Sequence, residues 1–452
     1  MPSSGATYRP DMQAMSLPAY LEAGLDPNQP EVQLTSTEKA IVFHEWIHYL
    51  HNVSTIHGLT SLSVLLKLWS NFRYTFWSDD KSLDDPAHLA AYIGDIDADI
   101  RFMAGSRLEQ ANDLPKNLHV SEVEFANARL VPLPEGHESQ LFILCEAAVC
   151  LRNKSHCAQY EVRIGTHEIL EGAAYLLEER FAATMREPMR NPPYAPYFLI
   201  QSLSASVAPK VSKSCTLLAA LGALQFPDPP RKLLDMLKCG EAALSAGRDP
   251  ESAVRAMAVQ MYEESLPAAL KTLEIIDNAF DKDERMTHAV HKLTATLRAN
   301  LTYRREDLFL ELEVAKTDIG NKNDWLAARA RYGAPLLFLK GAGDENRVRR
   351  DKMTFLTGDP FADQEAVAQR RLLYATFQYM FAHLQGDYKS GKPKPKMSKC
   401  PFYGSCEHEL RLRSPSQCGS TPWLSLQDNE SLDVCDYAVA TSKFEGSREG
   451  RR

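Results

Sequence analysis

The chain has 452 residues, 44% hydrophobic and 24% charged, a composition that supports a sizeable core and excludes a disordered polypeptide. Its formal net charge of -8 leaves no cationic excess to neutralise phosphates, which counts against nucleic acid as a partner. The opening residues show no leader of charged then apolar type, and no apolar run is long enough to span a bilayer, so no membrane association is expected. Nine cysteines, an odd count, point to a reducing, cytoplasmic setting, where clustered thiols serve as metal ligands or core residues more often than as disulfides.

In chain order, residues 1–34 are rich in Pro, Ser and Gly and read as an irregular N-terminal arm. A helix is expected from there, capped by Ser36 or Thr37 with Glu38 in its first turn. The stretch TEKAIVFHEWIHYLHNVSTIHGLTSLSVLLKLWSNF keeps apolar residues at helical spacing, with a break expected near Gly58. HVSEVEFANARLV (119–131) and YEVRIG (160–165) alternate as strands, whereas ESQLFILCEAAVCL between them reads as a buried helix. Thr166 is placed to cap the amphipathic helix HEILEGAAYLLEERFAATM, which should end near Pro188. NPPYAPY (191–197) marks a turn-rich boundary, residues 198–386 read almost entirely as helices, and KSGKPKPKMSK reads as a solvated linker. The fold class expected is mainly α with a small β component (α+β). Its parts are the arm 1–34, a core over 35–190, a helical region over 191–388 that completes or flanks it, the basic linker 389–399, and a cysteine-containing tail over 400–452.

The segment HEWIH carries the chemistry. Residues four apart lie on one helix face, so His44 and His48 can aim at one divalent ion while Glu45 sits beside them as a general base. Catalytic zinc takes three protein ligands and keeps a position for water, whose proton the carboxylate receives. The apolar neighbours Ile41, Val42, Trp46, Ile47, Tyr49 and Leu50 suit a buried metal helix. A third ligand must come from elsewhere. A metzincin would need Gly and His three and six residues after His48, but those positions hold His51 and Ser54. A di-iron carboxylate bundle would need a second ExxH pair, and the sequence has none.

The later segment LEGAAYLLEE offers the missing carboxylate, and here the sequence resembles the gluzincin metallopeptidases. Glu171, Gly172, Ala174 and Glu178 match the E-G-x-A-x-x-x-E pattern of their aminopeptidase branch. The resemblance implies a zincin-like core with His44, His48 and Glu171 as zinc ligands and Glu45 as the base; the function expected is a zinc-dependent metallopeptidase, most simply an endopeptidase, acting on a peptide or protein. It covers about thirty residues in two pieces, with a longer gap between them than in those aminopeptidases and without their GxMEN-type loop. Metal-site architecture is implied, and exopeptidase activity is not. Glu168 and His167 stand as alternative ligands, Glu178 could orient a ligating histidine, and His51 is a pocket residue or a structural one. Small residues at 172–174 would let this helix approach the HEWIH helix. Tyr194, Tyr197, His288 and His291 are equally eligible to stabilise an oxyanion.

In the tail, Cys400, Cys406, Cys418 and Cys435 form a second candidate site, for a structural zinc ahead of an iron–sulfur cluster, with His408 as a substitute ligand. Cys145, Cys150 and Cys157 read as small buried hydrophobes, and Cys215 and Cys239 as helix core. GDYKSGKP resembles a phosphate loop, but Pro393 replaces the hydroxyl and no helix follows. The competing reading is a non-catalytic module in which metal stabilises a helical surface for a protein partner.

Overall fold

A computed structural model describes residues 6–10, 12–76, 114–115, 118–133, 137–150, 157–186, 192–279, 284–340 and 352–384, and in the tail 399–403, 406, 408–420, 422 and 435–440. Over these residues the fold is mainly helical with two small sheets. Among the described residues no helix is long and apolar enough to cross a membrane. The linker 389–398 lies outside the described residues.

The metal-motif helix is central. A short α1 (Glu22–Leu25) precedes α2 (Ser36–Ser54) and α3 (Ile56–Phe76). The cap of α2 is Thr35, one residue earlier than expected. Its hydroxyl accepts the Glu38 amide at 3.3 Å, and the Glu38 carboxylate accepts the Thr35 amide at 2.7 Å, a reciprocal box that satisfies two orphan donors. The break falls at Thr55, with extended backbone (φ -102°, ψ 157°). Gly58 is needed just beyond it, because a Cβ there would stand 2.3 Å from the Asn52 carbonyl oxygen. From Val42 onward α2 buries nearly every side chain, as a core helix does. Phe43 stacks on Phe181 at 4.4 Å, and Trp46 meets Trp325 edge-on at 5.3 Å.

The arm is not irregular. It forms β1 (Thr7–Arg9) and β2 (Ala14–Pro18), an antiparallel pair. β2 also lies parallel to β6 (Leu336–Lys340), which pairs with β7 (Lys352–Thr354), so the order is β1-β2-β6-β7. Two strands therefore interrupt the region read as all helical.

The second sheet is antiparallel, β3 (Val123–Leu133), β4 (His137–Val149) and β5 (Ala158–Ile164). The segment expected as a buried helix is its central strand. Ile143, Cys145, Ala147 and Val149 alternate inward, and both edges of β4 are taken by partners. A continuous apolar run does not by itself distinguish a central strand from a buried helix. Cys150 and Cys157, at the adjoining ends of β4 and β5, are joined as a disulfide and are not the free core thiols expected.

β5 feeds directly into α4 (Thr166–Met185). Its cap is Gly165, not Thr166, and the Glu168 carboxylate accepts the Gly165 amide at 2.8 Å. Arg186 ends the helix in a left-handed conformation (φ 58°). The turn-rich NPPYAPY contains the single turn α5 (Tyr194–Tyr197). Then follow α6 (Leu199–Val207), α7 (Lys213–Ala223), α8 (Pro229–Ser245), α9 (Pro250–Asn278), α10 (Glu284–Glu306), α11 (Glu311–Val314), α12 (Lys322–Tyr332) and α13 (Pro360–Leu384). Among the described residues of the tail lie three short helices, α14 (Glu409–Arg413), α15 (Pro415–Ser420) and α16 (Asp436–Ala440). α4 packs on α2, with Gly172 facing Ile200 of α6; a Cβ at 172 would stand 2.6 Å from that side chain. Gly172 thus serves the α4–α6 contact, not the approach to α2 expected from the sequence.

The C-terminal end of α2 is held by α10. Asn300 donates to the Val53 carbonyl at 3.1 Å, and Arg304 donates to the Ser54 carbonyl at 3.0 Å and its hydroxyl at 2.7 Å. These groups satisfy carbonyls that a helix end leaves open, and the guanidinium complements the helix dipole. Arg304 is itself fully buried and forked onto Glu311, also fully buried. Removing one member of a buried pair strands the other charge. The Glu311→Ala variant should lose about 3–5 kcal/mol of unfolding free energy in urea titration, and a loss below about 0.5 kcal/mol, typical of surface sites, would contradict this role.

Candidate metal centre

Helix α2 presents His44 and His48 one turn apart, with their Nε2 atoms 3.2 Å from each other. From α4, Glu171 brings Oε2 to 3.2 Å from His44 Nε2 and 3.4 Å from His48 Nε2. Among the described residues these three form the group of potential ligand atoms lying within 4.8 Å of one another. A tetrahedral zinc with bonds of 2.0–2.1 Å places its ligand atoms about 3.3–3.4 Å apart. The observed spacings match that figure without rearrangement, so the residues fit the ion.

The other side of His44 is equally defined. Its Nδ1 lies 3.0 Å from Glu178 Oε2, a carboxylate with no exposure at all. This bond directs Nε2 toward the centre, the usual arrangement for a ligating imidazole. Burial disfavours a cationic His44, but the hydrogen bonds and charges of Glu171 and Glu178 outweigh it and raise the ring to about 9. Burial works against an ionised Glu171 as well, and the two histidines overcome it, holding the carboxyl well below its usual range. The site is thus a nest of negative charge arranged for cations. It is not sealed: the side chains of His48 and Glu171 keep 10% and 18% exposure, and Glu45 is partly exposed on the same helix.

Residues outside the triad fall into clear positions. His167 Nδ1 stands 4.0 Å from Glu171 Oε1, beside the ligand and not in its place. Glu168 is committed to capping α4 and is not a ligand. His51 is buried with Nε2 3.4 Å from Glu311; burial, and then the charge of Arg304, pushes its pKa far down, so the ring is neutral and structural. Asn52 accepts the Tyr8 hydroxyl at 2.9 Å, and the Tyr8 ring stacks on His48 with centroids 6.4 Å apart. Of the four oxyanion candidates, Tyr197 lies against His44, ring centroids 5.8 Å apart. Tyr194 is buried and bonded to Ser202, while His288 and His291 are exposed beside Glu365 and the Asp277 carbonyl.

Compared with protein-family models, curated proteins and solved structures, the chain matches none. The chemistry is therefore read from the geometry. The sequence brought out the triad and Glu178; it missed Tyr8, whose arm gave no local pattern, and Arg304 and Asn300, whose role depends on a helix far along the chain. The four tail cysteines do line one cavity.

Glu178 should act on metal affinity through His44. In Glu178→Ala the apparent zinc affinity should fall by about 10–100-fold, read by competition with a chromophoric chelator, while Glu178→Gln should recover part of it by accepting from Nδ1. Unchanged affinity in both variants would refute the positioning role.

Proposed function

We propose that the chain is a zinc-dependent metallopeptidase with a gluzincin-like centre formed by His44, His48 and Glu171. The observation that carries this reading is the convergence of three potential ligand atoms at tetrahedral spacing, with the partly exposed Glu45 next in the chain to His44. The HExxH helix and the E-G-x-A-x-x-x-E helix come together although more than a hundred residues separate them. That juxtaposition favours a catalytic centre over a chance motif.

When bound there, zinc supplies Lewis acidity to a peptide carbonyl and to water. Glu45, next in the chain to His44 and partly open to solvent, takes the proton of the attacking water and passes it to the leaving nitrogen. Glu178 fixes the His44 ring and keeps its tautomer during this transfer. Tyr197, whose ring lies against His44, is assigned the donor role toward the developing oxyanion. The Tyr8 ring stacks on that of His48.

The assay is hydrolysis of an unstructured protein substrate, with zinc measured in the same preparation. Glu45→Gln should lower turnover by about 10²–10⁴-fold and keep zinc at the parent's stoichiometry. Full hydrolysis in that variant would overturn the mechanism, and so would a parent that binds zinc without cleaving any of a diverse peptide library.

A further inference from the structure

The tail carries a second cluster of metal-type side chains that the peptidase chemistry does not use. Cys400, Cys406, Cys418 and Cys435 are separated by five, eleven and sixteen residues, yet all four line one cavity. None of the four is in a disulfide; Cys400 and Cys418 are buried and the other two half-buried. The backbone is folded to bring them there: the Cys400 amide donates to the Cys418 carbonyl at 2.9 Å, and the Cys406 amide to the Phe402 carbonyl at 2.7 Å. The surrounding helices α14, α15 and α16 have five or six residues each, too little to make a core. In many small metal-binding domains such order comes from the metal.

The sulfur spacing indicates which metal. Around one zinc, bonds of 2.3 Å put thiolate sulfurs about 3.8 Å apart. Among the described residues the donor group within 4.8 Å is the His44, His48 and Glu171 set, and no three of these four sulfurs meet that limit. In an iron–sulfur cubane each thiolate binds a different iron, so the sulfurs stand farther apart around a shared core. Charge agrees with an anionic occupant. Arg371 and Arg411 line the cavity, their guanidinium carbons 4.5 Å and 4.4 Å from the ring centroids of Phe402 and Tyr403. The Nε of Arg411 is buried with no hydrogen-bond partner among the described residues.

We propose that Cys400, Cys406, Cys418 and Cys435 bind a four-iron, four-sulfide (4Fe–4S) cluster that fastens the tail to the body of the protein. The fastening runs through α13. Arg371 pairs with Asp436, the neighbour of Cys435, at 3.2 Å, and Tyr374 packs on Phe402. The Tyr374 hydroxyl accepts from Arg9 at 3.2 Å, next to the Tyr8 that stacks on His48. This inference stands independently of the peptidase reading.

The test uses the full chain, purified without oxygen and supplied with ferrous iron and sulfide. It is run on the parent and on a His44→Ala, His48→Ala variant, so that zinc at the first centre is not counted. Iron, acid-labile sulfide and zinc are measured per chain together with visible absorption. About four irons and four sulfides per chain are expected in both proteins, with loss of the cluster and earlier proteolysis of the tail in Cys435→Ser and Cys418→Ser. The parent's iron and sulfide content decides the matter even where a serine variant misfolds. Zinc at the cysteines without labile sulfide, or no metal there at all, would overturn the proposal.

Discussion

A carboxylate wholly removed from water, that of Glu178, requires a partner, and the partner is Nδ1 of His44. Leaving such a charge unpaired in the interior would cost several kcal/mol. The bond fixes the imidazole plane, and with it the direction of the Nε2 lone pair. Because Glu171 lies two turns earlier on the same helix face, one α2–α4 packing arrangement satisfies both carboxylates at once. The candidate centre and the helix contact are therefore one structure: Glu178 is part of the core, and His48 and Glu171 sit at its open edge.

The rest of the molecule serves to hold α2 in place. Thr35 and Glu38 close its start, and Asn300 and Arg304 occupy the carbonyls at its end. Aromatic contacts with Phe181 and Trp325 fix its rotation, which decides where His44 points. The N-terminal strand pair brings Tyr8 over His48 and is in turn tied to α13 by Arg9. A helix clamped at both ends and on both flanks has little freedom to misplace His44 and His48, the precision that the proposed centre would require.

Much of the centre was legible in the sequence because it depends on helix period alone. His44 and His48 share a face by their spacing of four, and Glu171 and Glu178 by their spacing of seven. Which glutamate meets the histidines did not follow from period; Glu171 was what the resemblance to the gluzincin pattern implied. What was not legible depends on distant partners. β4 is a strand because β3 and β5 flank it, and β2 because β6 lies parallel to it from far along the chain. Tyr8 gained its place only through that sheet. Glu168 and His51 were eligible on chemistry alone; a capping bond in one case and burial against Glu311 in the other removed them from the site. The cysteine count likewise gave no sign of the Cys150–Cys157 bond, since pairing depends on adjoining strand ends.

The most direct test of the metal centre is anomalous diffraction at the zinc edge from crystals of the zinc-loaded protein. The anomalous peak should lie about 2.0–2.2 Å from His44 Nε2, His48 Nε2 and an oxygen of Glu171, with Glu178 still on His44 Nδ1. Zinc-loaded crystals with no anomalous peak at these atoms, or with the ion bound elsewhere and Glu171 turned away, would contradict the assignment.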